Sequence, residues 1–399
     1  MPTRERVLAL DVLRGLAVAG MILVTSPGDW NTNYAPLRHA DWDGWTPTDM
    51  IFPAFLFAVG MALGLPFPQK LEGSAAVASF WSRIARRVAA LIALGLALEL
   101  VAVGLRALGA PGIGEGDLAH MRIPGVLQRI ALCYGAAAAL IFVTGWRSDE
   151  RAVQINPRAI AVVIGVLLIG YWALMRFVPV PGFGAGHLDP EGNLAAFLDR
   201  SIFTSAHLWP IGSVAWGGPI VYDPEGLLST LPALTNTLFG VLAAWAWKRD
   251  ADKALFQIAV AGAVLIVLGL ALDPLFPINK RIWTSTFAML SSGVSALALV
   301  FLALVLRADV GRRLGWPFRI LGSNAILAFV ISILYSHVRG IPFLDLDGAK
   351  VGTQKWGNDV MLRVLPDPYL ASLANALAAV FVVTMLLWWL DQRRIYLRV

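Results

Sequence analysis

Residues 7–26 read VLALDVLRGLAVAGMILVTS and residues 47–65 read PTDMIFPAFLFAVGMALGL, two apolar runs each long enough to cross a bilayer. A hydrocarbon core about 30 Å thick needs roughly 20 mainly apolar helical residues, and the chain repeats that pattern. Further runs fall at about Val88–Leu108, Pro124–Thr144, Ala159–Val178, Leu227–Trp247, Ala254–Leu272, Ile282–Leu306, Phe318–His337 and Leu370–Leu390, making about ten spans. With 58% hydrophobic and 15% charged residues and a mean hydropathy of +0.69, the 399-residue chain has the composition of an all-α polytopic integral membrane protein, not of a soluble domain. Asp11 and Arg14 interrupt the first run and no small-residue cleavage site follows. It therefore reads as a span and not as a signal peptide.

The pI near 9.7 and net charge of +6 do not indicate nucleic acid, because the basic residues follow topology. Arg4 and Arg6; Lys70, Arg83, Arg86 and Arg87; Arg147, Arg151 and Arg158; Lys248, Arg249 and Lys253; Arg307, Arg312, Arg313 and Arg319; and Arg393, Arg394 and Arg398 fall on every second connection. The positive-inside rule then places both termini in the cytoplasm. The intervening connections include the two longest, 179–226 and 338–369. No internal repeat or linker divides the chain, so residues 1–399 read as a single transmembrane domain. Cys133 stands alone and forms no intramolecular disulfide.

On the outer side by this topology lies the polar segment Arg38-His39-Ala40-Asp41-Trp42-Asp43-Gly44-Trp45-Thr46-Pro47-Thr48-Asp49. Imidazole titrates near neutrality, so His39 at the bilayer surface is a candidate general base. Thr46, Pro47 and Asp49 have the spacing of a helix start, which makes Asp49 a candidate cap. Asp41, Asp43 or Asp49 is equally placed to hold the imidazole tautomer. Inside the spans, Asp11 and Arg14 share a helical face, where they pair with each other or meet an anionic cofactor. Arg129 is suited to capture of phosphate or carboxylate, and also to bracing a carboxylate such as Glu99. Trp209, Trp216 and Tyr222 suggest either a carbohydrate-accepting cleft or an ordinary interfacial aromatic belt. Tyr222-Asp223-Pro224-Glu225-Gly226 reads as a structural turn into the sixth helix. The remaining histidines, His120, His187, His207 and His337, lack metal-ligand spacing, and no metal site is expected. Position alone does not make His39 catalytic.

The His39 string, continued by Ile51-Phe52-Pro53, resembles the signature of the heparan-alpha-glucosaminide N-acetyltransferase family and its bacterial homologues. Leu10-Asp11-Val12-Leu13-Arg14-Gly15 is similar to the family's opening motif, Arg122-Ile123-Pro124-Gly125-Val126-Leu127-Gln128-Arg129 to its fourth-span motif, and Tyr222 to Gly226 to its loop motif. Pro277-Ile278-Asn279-Lys280 with Trp283-Thr284, and Gly322-Ser323-Asn324-Ala325-Ile326 leading to His337, resemble its last third. The likeness covers nearly the whole chain.

The resemblance implies transfer of an acetyl group from cytosolic acetyl-CoA, across a membrane, to the amine of a terminal glucosamine on the other side. It maps the active-site histidine to His39, with Asp49 and Asp41 as catalytic candidates. Arg14, Asp11, Arg129, Arg86, Arg87, Lys248 and Arg249 are the candidates for the acetyl-CoA, although the positive-inside rule already accounts for the surface cluster. Trp42, Trp45, Thr25, Ser26, Asn279, Asn324 and His337 are assigned to the acceptor. Where the family usually has an active-site asparagine near the end of the first span, this chain has Thr25-Ser26, whose hydroxyls replace only part of an amide's hydrogen bonding. The expected partners are an amino-sugar or glycan acceptor and the lipid bilayer, no nucleic acid, and on the family pattern a homodimer. The expected site is a bacterial inner membrane. Family members with a lumenal domain carry an additional leading helix, and a chain beginning like this one is expected to start in the cytoplasm, as the charges indicate. The rival reading is an amino-sugar transporter in which His39, Asp11 and Arg14 form a proton relay or gate. A non-catalytic scaffold is the third possibility.

Overall fold

The computed structural model describes residues 7–107, 116–147, 152–346 and 349–397, and Arg4, Arg6, Arg151 and Arg398 lie outside them. In chain order the helices are α1 (Leu8–Thr25), α2 (Ile51–Gly64), α3 (Gly73–Ala107), α4 (Val126–Thr144), α5 (Pro157–Phe177), α6 (Leu194–Phe203), α7 (Gly212–Trp216), α8 (Thr230–Arg249), α9 (Ala251–Ala271), α10 (Ser285–Val305), α11 (Asp309–Ser323), α12 (Ala325–Gly340), α13 (Thr353–Val364) and α14 (Pro368–Gln392). A 3-10 turn, Pro47–Met50, runs directly into α2. Side-chain caps start several helices where the sequence has them: Asn156 Oδ1 accepts from Ala159 N at 3.2 Å before α5, and Asp367 Oδ1 accepts from Leu370 N at 2.9 Å before α14, each followed by proline.

Among the described residues, eight helices are long and apolar enough to cross a membrane, and nine if the bent pair α11–α12 counts as one. The chain is an all-α polytopic membrane protein, with three of the expected spans corrected. The sixth, Leu227–Trp247, forms α8 but is not among the eight apolar ones. It carries Thr235, Asn236 and Thr237, all buried, because α2, α4, α5, α9 and α10 pack around it and it need not face lipid. The ninth, Phe318–His337, is not one straight helix. Its two halves meet at 82° around Asn324, whose amide donates to Ile395 O and accepts from Leu397 N, each at 3.1 Å.

The third helix also begins at Gly73, well before the expected Val88, so Arg83, Arg86 and Arg87 are helical. At that end of the bundle, β1 (Gln69–Lys70), β2 (Trp146–Arg147) and β3 (Ala152–Gln154) form an antiparallel sheet in the order β1-β3-β2. At the opposite end, the 179–226 connection folds into α6 and α7, and the 338–369 connection into the hairpin β4 (Leu344–Leu346) and β5 (Ala349–Val351) followed by α13.

The core closes through small residues. A Cβ at Gly60 of α2 would lie 1.7 Å from Thr237 O of α8, and one at Gly240 of α8 would lie 1.9 Å from Phe57 O of α2. The two backbones touch, as in membrane bundles, where helix association depends on close packing of small residues.

Candidate active site

His39 lies in the connection between α1 and α2, at the end of the bundle away from Asp11 and Arg14. Its loop is folded by its own polar groups. Arg38 donates from Nε to Asn33 O at 2.8 Å, and Thr46 Oγ1 donates to Arg38 O at 2.6 Å. Of the three aspartates that the sequence leaves open, Asp49 is the one that meets the histidine. Asp49 Oδ1 is 2.6 Å from His39 Nδ1, and its Oδ2 accepts from Ala40 N at 3.1 Å and Thr46 N at 2.9 Å. Asp49 is therefore both helix cap and histidine partner. Asp41 is exposed and has no bond to the ring, while Asp43 is engaged by Asn279. A buried carboxylate only accepts, so Nδ1 carries the hydrogen and Nε2 keeps a lone pair.

A residue not assigned from sequence completes the group. Lys280 Nζ lies 3.0 Å from His39 Nδ1, 3.4 Å from Nε2 and 3.4 Å from Asp49 Oδ1. Burial and the Lys280 charge lower the His39 pKa to about 4, against an opposing pull from Asp49. Burial also lowers the pKa of the Lys280 ammonium. At neutral pH His39 is an uncharged imidazole with its side chain 38% exposed, in a form able to accept a proton. Only the neighbouring Pro277-Ile278-Asn279-Lys280 motif pointed toward this lysine.

The loop that delivers Lys280 is pinned from beneath. Asn279 Nδ2 donates to Asp43 Oδ1 at 3.1 Å, its Oδ1 accepts from Ile282 N at 3.1 Å, and Gly44 N donates to Ile278 O at 2.7 Å. Trp283 is fully buried with a φ of 51°, and its indole Nε1 donates to Asn236 Oδ1 at 3.0 Å. Asn236 in turn donates to Ser291 and Ser292 hydroxyls at 3.0 and 2.8 Å. Asn279, expected at the acceptor, thus holds two loops together.

The other expected site residues divide. Trp42 donates to Leu188 O at 2.9 Å and packs edge-on against Tyr222 with ring centroids 5.1 Å apart, tying the His39 loop to the 179–226 connection; Trp45 is exposed. Ser26 is buried with no hydrogen-bond partner for its hydroxyl among the described residues, and Thr25 Oγ1 donates to Met21 O at 2.8 Å. His337 bonds through Nδ1 to Ile333 O at 2.8 Å within its own helix. Asn324 sits at the α11–α12 bend with the carboxy-terminal tail, remote from the His39 end.

Arg129 is fully buried. It donates to Gly226 O at 2.9 Å and Ser229 Oγ at 2.5 Å and stacks on Trp283 at 5.0 Å, instead of bracing Glu99. Arg122 makes a bidentate pair with Asp223, at 2.8 and 2.6 Å, and also pairs with Glu225. The Tyr222–Gly226 segment turns before α8, with Gly226 N donating to Asp223 O at 3.0 Å, where the sequence placed a turn.

At the opposite end three cavities open beside one another and share Ala62. One of about 790 Å³ is lined by Arg83, Arg86, Arg87 and Tyr134. A second of about 240 Å³ reaches inward past Arg14, Arg87, Leu127 and Asn324, and a third of about 1290 Å³ is lined by Asp11, Arg14, Trp247 and Lys248. Arg87 stacks 4.5 Å over Tyr134, and among the described residues its buried Nε has no acceptor, which leaves a donor for an anionic group. Asp11 and Arg14 pair with each other. Lys248 Nζ donates to Phe67 O at 2.5 Å, and Arg249 stacks 4.9 Å over Trp245. Among the described residues no three His, Cys, Asp or Glu side chains group as metal ligands.

Residues 6–146, which carry His39 and Asp49, match the family model described as heparan-alpha-glucosaminide N-acetyltransferase, catalytic. The chain is 28% identical over 363 residues to the heparan-alpha-glucosaminide N-acetyltransferase of Mus musculus, covering 82% of this chain and 53% of that protein. It is 27% identical over 366 residues to the Homo sapiens protein of the same name, covering 83% and 53%. The chain spans about half the length of these curated relatives. Its motifs and these matches agree in their likeness to the heparan-alpha-glucosaminide N-acetyltransferases.

Proposed function

We propose that this protein is a transmembrane acetyltransferase of a bacterial inner membrane, which moves an acetyl group from cytoplasmic acetyl-CoA to the amine of an outward-facing amino sugar or glycan. The observation that carries the reading is the neutral His39 imidazole, held by Asp49 at one end of the bundle, with arginine-lined cavities at the other. The two ends are separated by α1, whose 18 residues make a helix about 27 Å long. Anionic phosphates of the donor fit the Arg83, Arg86 and Arg87 cavity, and the narrow cavity beyond Arg14 and Arg87 offers its acyl-bearing arm a route inward.

In direct transfer the acceptor amine attacks the thioester carbonyl, His39 Nε2 takes the amine proton, and the carbon–sulfur bond breaks to release the thiolate of CoA. The Lys280 ammonium, 3.4 Å from His39 Nε2, is the group proposed to stabilise negative charge on the carbonyl oxygen. In the alternative, Nε2 attacks the thioester carbonyl and the carbon–sulfur bond breaks to release the thiolate of CoA; the amine then attacks the acetyl-imidazole carbonyl, the carbon–Nε2 bond breaks, and the amine proton leaves to water as neutral His39 is restored.

Purified protein in lipid, given labelled acetyl-CoA and glucosamine or small glucosaminides, is expected to form labelled N-acetyl product, and folded His39→Ala to form none. Product from His39→Ala at the wild-type rate overturns the assignment. Label retained by wild-type protein without acceptor selects the acetyl-histidine route. Counterflow of labelled sugar without acetyl-CoA, and no acetyl-CoA binding, would replace an enzyme with a transporter.

A further inference from the structure

A groove of about 400 Å³ lies where α8 and α9 meet, and it shares no lining residue with the arginine-lined cavities. Phe239, Leu242 and Trp245 of α8, Ile258 and Ala261 of α9 and Ser292 of α10 line it. Val264, also in its wall, is exposed, as are Val260 of α9 and Val162 and Val166 of α5. Both α5 and α9 have the length and hydropathy of spans, so the groove opens sideways onto hydrocarbon and not onto water. An acyl chain fills such a gap, because an empty one would forfeit the contacts of every atom lining it.

Chains alone do not select a lipid, since lipid tails are as apolar as the groove, so the polar groups beside it decide which one stays. Arg249 lies with its guanidinium 4.9 Å over the lining Trp245 ring, and Arg158 follows Pro157, another lining residue. Both arginines are exposed, and among the described residues neither has a carboxylate partner. Gln257 of α9 also lines the groove, and among the described residues its amide has no hydrogen-bond partner. It stands six residues from Ala251, the start of α9, about 9 Å along the helix. At that depth an amide meets the ester carbonyls of a glycerolipid, and without them it faces hydrocarbon unpaired.

We propose that this groove is a site for an anionic glycerophospholipid, with one acyl chain between α8 and α9, its ester carbonyls at Gln257 and its phosphate at Arg249 and Arg158. The basic end is the end of the bundle that holds the donor cavities, since Lys248, next to Arg249, lines one of them. By the positive-inside pattern that end faces the cytoplasmic leaflet, where anionic lipids attract Lys and Arg near the surface. The seated chain touches Ser292, whose hydroxyl accepts from Asn236 at 2.8 Å, and Asn236 holds Trp283 and with it the Lys280 loop. The lipid site stands whether or not the acetyltransferase reading does.

The test places the full chain in nanodiscs of equal parts phosphatidylglycerol and phosphatidylcholine, with a trace of one or the other lipid carrying a photoreactive diazirine midway along an acyl chain. Mass spectrometry of the labelled peptides reads residues 239–246 of α8, a helix packed inside the bundle that the groove opens to lipid. In wild-type protein the phosphatidylglycerol probe is expected to label them about fivefold or more over the phosphatidylcholine probe. The exposed double change Arg158→Glu/Arg249→Glu is expected to make the two probes equal there. Ala261→Trp, which fills the groove, is expected to remove labelling of α8 by both, with labelling of the outer face of α5 unchanged. Equal labelling in the wild type, a preference that survives the double change, or α8 labelling that survives Ala261→Trp overturns the proposal. So does an unlabelled α8 in a wild-type dimer that Ala261→Trp dissociates, which would make the occupant a second copy of this chain. Should Ala261→Trp not fold, the double change alone decides.

Discussion

Asp49 and Lys280 pull the His39 imidazole in opposite directions, and with burial added the lysine side wins. Lys280→Met removes a positive charge that disfavours imidazolium, so the His39 pKa should rise from about 4 toward its ordinary 6.5. An NMR titration of ring-labelled protein would report this directly, and the acidic limb of kcat/KM should move to higher pH with it. No movement of either would remove Lys280 from the electrostatics of the site. Asp49→Asn exchanges an obligatory acceptor for a group that can donate to Nδ1, and should cost about 10²–10⁴-fold in kcat, the usual range of general acid–base catalysis. Wild-type turnover in that variant would make Asp49 only a cap. At this scale His39 was legible as a titrating residue in a polar interfacial string, and Asp49 by its capping spacing. Lys280 was not, because it reaches the ring from a loop 241 residues further on.

At the level of elements, the site depends on contacts between helices that the apolar pattern does not specify. Asn236 of α8 holds Trp283, and through it the loop that presents Lys280. Asn236→Leu leaves the indole N–H unpaired in the core and should cost about 1–3 kcal/mol of stability, the penalty of an unsatisfied buried group. Thermal unfolding in detergent would show a lower midpoint, and kcat should fall more than KM changes, since the donor cavities are untouched. Gly60→Ala places a methyl against Thr237 O and should destabilise by about 1–3 kcal/mol, as overpacking does, whereas Gly165→Ala on α5, with nothing within 4 Å, should be neutral. The α11–α12 bend escaped sequence reading for a related reason: Asn324 is compatible with a straight apolar helix until the carboxy-terminal tail offers both halves of its amide a partner.

For the molecule as a whole, the proposed chemistry requires two ends with different tasks. Arg87→Glu should raise KM for acetyl-CoA about tenfold or more with a smaller effect on kcat, since it alters binding of the donor far from the reacting atoms. An unchanged KM would remove the Arg83–Arg87 cavity from the donor's path. Periodicity of apolar runs, the topology of Lys and Arg and the spacing around His39 were enough to read an all-α membrane protein and to place its histidine in a polar connection. Those properties are local in the chain: hydrocarbon thickness sets the length of each span, and capping geometry relates residues three apart. Only the tertiary structure decided that Asp49 and not Asp41 holds the imidazole, that Lys280 joins them, that Arg129 and Asn279 brace loops, and that Asn324 lies at the other end. Those assignments depend on which helices touch, and contact is set by close packing of small residues and by buried polar groups finding partners across the bundle. A sequence of apolar runs leaves those pairings open.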